Sequence, residues 1–173
     1  MSEIIFSRHF SMPNPYTFEM KPIANLISKW ISPDMDVADP FAGKSKIAKY
    51  SNDLAVSGKN SIEWLEELVK SGIHVDAVLL DPPYSPRQIT EVYKSIGLKA
   101  SSTDTQNAKL YSECRKLLNM ILKPGGIALS FGWNSSGWGK KYNYKMLELL
   151  LVYHGGAHND TICLVERKPH DSQ

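Results

Sequence analysis

Asp81-Pro82-Pro83-Tyr84 is the stretch whose residue types and spacing carry chemistry. A carboxylate, bare backbone carbonyls and an aromatic ring stand within four positions. Each proline fixes φ and has no N–H, so the turn is rigid. The first also biases Asp81 towards an extended backbone. Such a cluster suits a planar base that carries an exocyclic amino group. Two acceptors can meet the amino hydrogens, and a ring can stack on the base. Asp-Pro pairs are also common turn formers, so the tetrapeptide gains its weight from its surroundings.

Asp39-Pro40-Phe41-Ala42-Gly43 is a second such stretch. It reads as a strand end and a glycine-bearing turn, followed by a helix from near Lys44 or Ser45. Glycine permits close backbone approach, and a helix N-terminus favours anionic groups. Asp53, near the end of the next strand, could hold ribose hydroxyls or be a solvated turn residue. Trp133 and Trp138 stand in the loop Gly132–Gly139, where base stacking and core packing are both open readings. Lys44, Lys46 and Lys49, then Arg87, Lys94 and Lys99, then Lys140, Lys141 and Lys145 are solvated faces or, if they converge on one sheet edge, a phosphate rim. His9, His74, His154, His158 and His170 have no ligand spacing, so no metal is expected.

The elements that position these residues follow from periodicity. Residues 75–80 are a short apolar run of the kind that forms a buried parallel strand, and Asp81 stands at its carboxyl end. In open α/β sheets ligands bind at that edge. Residues 1–17 read as irregular. Thr17 is a candidate N-cap for a helix with Pro22 in its first turn and Ile23, Leu26, Ile27 and Trp30 on one face. A strand ends near Ala38 or Asp39. A short helix follows Lys44, and residues 51–56 form the second strand. Ser61 caps a helix that Gly72 ends. A helix follows Arg87 to about residue 96, residues 97–106 are a polar loop, and 107–122 are a long amphipathic helix. Lys123-Pro124-Gly125-Gly126 is a turn before a buried strand at 127–131. Residues 142–147 read as helical. Strands at 149–153 and 161–166 form an antiparallel hairpin.

The 173 residues, 42% hydrophobic and 22% charged, suit one globular domain over 1–173. A net charge of +2 does not by itself imply a nucleic-acid partner. Cys114 and Cys163 have no paired spacing and fit reduced core thiols. There is neither a signal-peptide pattern nor a long apolar run, which leads to the expectation of a soluble cytoplasmic protein.

The assembled pattern resembles the S-adenosylmethionine-dependent amino-methyltransferases that act on exocyclic amines of DNA bases, especially adenine N6. Asp39–Gly43 looks like the cofactor loop and Asp81–Tyr84 like the catalytic tetrapeptide. Lys123–Gly126 before a strand is typical of the same fold. Asn14-Pro15-Tyr16-Thr17-Phe18-Glu19-Met20-Lys21-Pro22 looks like the motif lining the methionine end of the cofactor. Ser45 replaces a second glycine of the cofactor loop. Asn60 stands where an aspartate would face the cofactor's adenine.

The resemblance implies an α/β, Rossmann-like class I methyltransferase fold: a mostly parallel sheet with an antiparallel C-terminal hairpin strand. It implies S-adenosylmethionine as cofactor, held by Phe18, Asp39, Pro40, Phe41, Ala42, Gly43, Asp53, Asn60 and Asp81. It makes Asp81, Pro82 and Tyr84 catalytic, and Pro83, Tyr84, Arg87 and Trp133 substrate contacts. The expected partner is DNA with a flipped adenine, as for enzymes of phages and mobile elements, with no membrane and with a monomer or homodimer. The chain has no room for the target-recognition domain that such enzymes often insert, so short loops or a dimer partner would read sequence. RNA adenine-N6 and DNA cytosine-N4 methylation are the alternatives of the same class. A non-catalytic nucleic-acid-binding module that has lost cofactor is the alternative of another class, and Ser45 and Asn60 favour it.

Overall fold

Short apolar runs between turn residues become the central strands. The computed structural model describes residues 3–83, 86–97, 99 and 107–170. β1 (Ile5–Phe10), β2 (Val37–Asp39), β3 (Tyr50–Ser51), β4 (Val75–Leu80), β5 (Leu122–Gly132), β6 (Lys145–Tyr153) and β7 (Thr161–Arg167) form one sheet in the order β1-β6-β7-β5-β4-β2-β3. β7 runs antiparallel to β5 and β6, and every other pairing is parallel. The carboxyl ends of the parallel strands share one edge, and Asp81 stands there, one residue beyond β4.

Two apolar layers clamp the sheet. α1 (Lys21–Trp30) turns Ile23, Leu26 and Ile27 onto Leu79, Leu129 and Val152. Each such side chain, fully buried, contributes ~1.5–3 kcal/mol. On the opposite face α3 (Ser61–Lys70) and α5 (Asn107–Ile121) bring Leu65, Leu118 and Ile121 onto Val78, Leu80 and Ala128. The Lys123–Gly126 turn is a bulge at the start of β5. Leu122 opposes Val75 and Ile127 opposes Ala77, so β5 carries three more residues than β4 there. The single-turn α2 (Leu54–Ser57) and the longer α4 (Pro86–Ser95) lie beyond the carboxyl ends of β3 and β4.

Several local expectations change. Residues 5–10 are a strand, not irregular chain. Ser7, Arg8 and His9 hide the apolar alternation, and the open edge of β6 supplies the partner. No helix follows Lys44: residues 40–49 are turns, with Ser45 N–H donating to the Ala42 carbonyl at 2.8 Å. The second strand is only Tyr50–Ser51, and residues 54–57 are helical because Asp53 caps them, accepting from Ala55 N–H at 2.8 Å. Thr17 begins a separate 3-10 turn over Thr17–Glu19, and Met20 is the N-cap of α1. Asn60, not Ser61, caps α3. Its Oδ1 accepts from Ile62 and Glu63 N–H, and Glu63 reaches back to Asn60 N–H, a capping box. Residues 142–147 are not a helix. A 3-10 turn over Gly139–Tyr142 ends at Asn143, whose φ of 56° is left-handed, and β6 then begins.

Candidate active site

β2, β3 and β4 end beside one another, and a cavity of about 750 Å³ opens over their carboxyl ends. This lies within the ~300–1,000 Å³ typical of small-molecule sites. Pro40, Phe41, Asp53, Asn60, Asp81, Pro82 and Pro83, all singled out from the sequence, line it together. Leu54 and Ile62 add an apolar wall, and the face of α4 bearing Gln88, Glu91 and Ser95 adds a polar one. Carboxylates dominate the charge of the lining: Asp53, Glu63, Asp81 and Glu91 stand against Lys109.

Other expected residues lie elsewhere. Phe18 packs its ring 5.0 Å from that of Phe131 in the core, and its neighbours Pro15 and Thr17 reach the cavity instead. Ala42, which is buried, and Gly43, which is exposed, are not among the lining residues, although Asp53 Oδ2 lies 3.9 Å from where a Gly43 Cβ would sit. Arg87 does not line the cavity; it is largely exposed and paired at 2.8 Å with Glu91, which does. The two tryptophans separate. Trp138 is buried, stacks on Tyr144 and donates to the Arg115 carbonyl at 2.9 Å. Trp133 is 44% exposed, next to the carboxyl end of β5. Tyr84, and residue 98 with residues 100–106 of the expected loop, lie outside the described residues.

Asp39 is fully buried under the cavity floor. Its Oδ1 accepts from Phe41 N–H at 2.9 Å, and Oδ2 has no partner among the described residues. Burial pushes its carboxyl up to about 7; the Phe41 N–H opposes that shift, and the charge of Asp81 adds to it. The Asp81 charge also reaches the buried phenol of Tyr111 and the thiol of Cys163, both raised chiefly by burial.

Asn52 was not anticipated. It is buried on the cavity wall and ties two loops together. Its N–H donates to the Asp39 carbonyl and its own carbonyl accepts from Ala42 N–H, both at 2.9 Å. Its side chain accepts from Ser57 Oγ at 2.7 Å and donates to the Lys59 carbonyl at 3.2 Å. A lone polar residue between a tyrosine-serine pair and an aspartate gives no sequence signal for this. Not all of the basic residues converge on the site. Lys49 pairs with Asp36 before β2, and Lys145 starts β6, both at the opposite edge.

No protein-family model matches the chain. No curated protein matches it either. Solved structures do. The candidate methyltransferase yhhF from Escherichia coli superposes with a TM-score of 0.56 at 14% identity, covering 94% of this chain and 92% of that one. NSun6 from Pyrococcus horikoshii, solved with SFG, has a TM-score of 0.52 at 13% identity, with 80% and 49% covered. TrmN from Thermus thermophilus has a TM-score of 0.50 at 18% identity, with 86% and 49% covered. This chain thus spans about half the length of TrmN and of NSun6. At such identities the likeness is one of fold: the chain has the Rossmann-like α/β fold of class I methyltransferases, with its antiparallel hairpin strand in place. No helix of the described residues is long and apolar enough to cross a membrane.

Proposed function

We propose that this chain is an S-adenosylmethionine-dependent methyltransferase acting on the exocyclic N6 amino group of adenine in DNA. The observation that carries the reading is the meeting of Asp81, Pro82 and Pro83 with Asp53 and Asn60 on one cavity wall. The fold shared with yhhF supports the reaction class.

The residues fit this cofactor. It is cationic at its sulfonium and ammonium groups, and the lining is rich in carboxylates. Asp53, with one oxygen on α2, has a second for ribose hydroxyls. Asn60 spends its oxygen on the cap of α3, so only its amide N–H groups remain for the cofactor's adenine, between Leu54 and Ile62. When bound, the cofactor supplies an electrophilic methyl group.

The chain's own residues prepare the acceptor. An aromatic amine is a poor nucleophile because its lone pair is delocalised into the ring. Asp81 accepts one amino hydrogen and the Pro82 carbonyl the other, which localises the lone pair. On transfer, an N–C bond would replace the methyl carbon's bond to sulfur, leaving a neutral thioether, and the nitrogen would shed its proton to Asp81. Catalysis is thus positioning and electrostatics. A base held in a duplex must be flipped to reach this depth, at a cost of a few kcal/mol. Tyr84 and Pro83 are proposed to receive it.

The test is transfer of radiolabelled methyl groups to single- and double-stranded DNA, with mass spectrometry of the digested nucleosides. N6-methyladenine is expected, reduced at least ~100-fold in Asp81→Ala. Protein that binds cofactor in calorimetry yet leaves adenine in DNA unmodified would overturn the reading. Methylated RNA adenine or N4-methylcytosine would reassign the substrate.

A further inference from the structure

The outer end of the sheet carries a second unusual surface. By the two-residue period of a strand, β1 turns Phe6 and Arg8 to the face opposite the one where Ser7 and His9 flank α1. Phe10, at the strand's end, borders the α1 side as well, while its ring meets Tyr153. Phe6 is 66% and Phe10 51% exposed. Their register partners on β6, Leu149 and Tyr153, are only half-buried. The cause is topological. Between β5 and β6 the chain supplies a short 3-10 turn where a covering helix would fit, and that loop packs on Leu164 and Glu166 of β7.

The exposed face is not simply greasy. The Arg8 guanidinium lies 4.0 Å over the Tyr153 ring, and the Phe10 and Tyr153 rings are 5.4 Å apart. Aromatic rings interleaved with a cation on an open sheet face are what single-stranded nucleic acid binds, bases on the rings and phosphates on the arginine. The placement agrees. Phe10 and Tyr153 end their strands at the edge where Asp81 follows β4 and the exposed Trp133 follows β5. β1 lies four strand spacings from β4, ~19 Å. At the ~3.4 Å spacing of a stacked strand this is about six nucleotides. The acidic cavity lining repels backbone phosphates, so a strand feeding it needs its basic grip outside. A second copy of the chain on this face would bury Arg8 on a strand that has no carboxylate to answer it.

We propose that Phe6, Arg8, Phe10 and Tyr153 bind single-stranded nucleic acid and lead it past Trp133 to the cavity. What happens at the end of this track rests on the methyltransferase reading; the binding does not. Fluorescence anisotropy with labelled twelve-nucleotide oligodeoxythymidine and oligouridine tests it, the two arms separating DNA from RNA. Phe10→Ala is expected to weaken binding about tenfold, Phe10→Leu equally, and Phe10→Trp to retain it. Phe6→Ala combined with Phe10→Ala weakens it further, with cofactor binding in calorimetry unchanged. Equal binding by wild type and Phe10→Leu would overturn the proposal, since leucine keeps the apolar contact and loses the ring. So would a double variant that turns a dimer into a monomer in sedimentation without changing oligonucleotide affinity, which marks the face as a protein contact. If binding depends on these residues but no methyl is transferred, this surface stands and the proposed activity falls.

Discussion

Asp39 shows how one position can be marked by its chemistry yet obtain its environment from the fold. Its side chain has one hydrogen bond and one orphan oxygen, and burial lifts its carboxyl to about 7. Because that value lies above the ordinary carboxylate range, the folded protein holds a proton that the unfolded chain releases. Stability from this group is full below about pH 4 and is lost as pH rises through about 7. Asp39→Asn keeps the acceptor for Phe41 N–H and removes the ionisation. Urea denaturation should show the variant and wild type diverging by up to ~1.4 kcal/mol per pH unit between pH 5 and 7, then levelling off. Parallel curves would mean that Asp39 titrates normally. Asn60 gives the complementary lesson. Its oxygen belongs to the cap of α3, which an Asn60–Glu63 spacing announces in the sequence.

At the scale of elements, the loop between β5 and β6 is built around a buried carboxylate. Glu166 on β7 is almost fully buried and accepts from the N–H groups of Trp138 and Gly139 at 2.8 and 2.9 Å. Gly137 stands against it with a φ of 44°, and a Cβ there would collide with the Glu166 carboxylate and the Leu164 side chain. Gly137→Ala should therefore cost ~2–4 kcal/mol in urea denaturation, from left-handed strain together with overpacking. A loss below ~0.5 kcal/mol would show that the loop yields freely. The sequence left Trp133 and Trp138 equivalent, each in a glycine-rich loop. Glu166, 28 residues beyond Trp138, draws that backbone inward and leaves Trp133 outside.

For the whole molecule, the sheet divides into a dry centre and an appended edge. β4 and residues 126–132 of β5 are nearly all buried, whereas five of the six β1 residues are exposed. β1 is held by β6 and by His154, whose ring nitrogens reach the Ser11 carbonyl at 2.8 Å and Thr161 Oγ1 at 2.9 Å. This histidine therefore fastens the end of β1 to the hairpin. In native-state hydrogen exchange the β1 amides should exchange well before those of β4 and β5. Replacing His154 with Ala should speed β1 exchange at least ~10-fold, as expected for two buried hydrogen bonds lost, and leave β4 unchanged. Acceleration shared evenly by all strands would show that β1 does not open by itself.

The sequence by itself determined the class of fold and singled out several residues that line one cavity. The apolar runs at 37–39, 75–80 and 127–131 fall at parallel strands because they are buried on both faces. Asp81-Pro82-Pro83 falls at a strand end because prolines cannot continue a central strand. Asp39–Gly43 was legible as a strand end for the same reason, whereas Asp53, expected within a strand at 51–56, is the N-cap of α2. Only the tertiary structure decided what depends on partners distant in sequence. β1 is a strand because β6, some 140 residues later, offers an open edge. Asn52 is a clamp because it meets both Asp39 and Lys59. Phe18 turns to Phe131, away from the cavity. The open aromatic face exists because α1 packs on the other face of β6 and, among the described residues, no helix covers this one. Local sequence sets backbone preference and apolar period, and it cannot name the neighbour that will complete a ladder, bury a ring or leave one bare. Asp81, Pro82 and Pro83 stand together by their own covalent order; the fold brings them to Asp53 and Asn60 around one cavity.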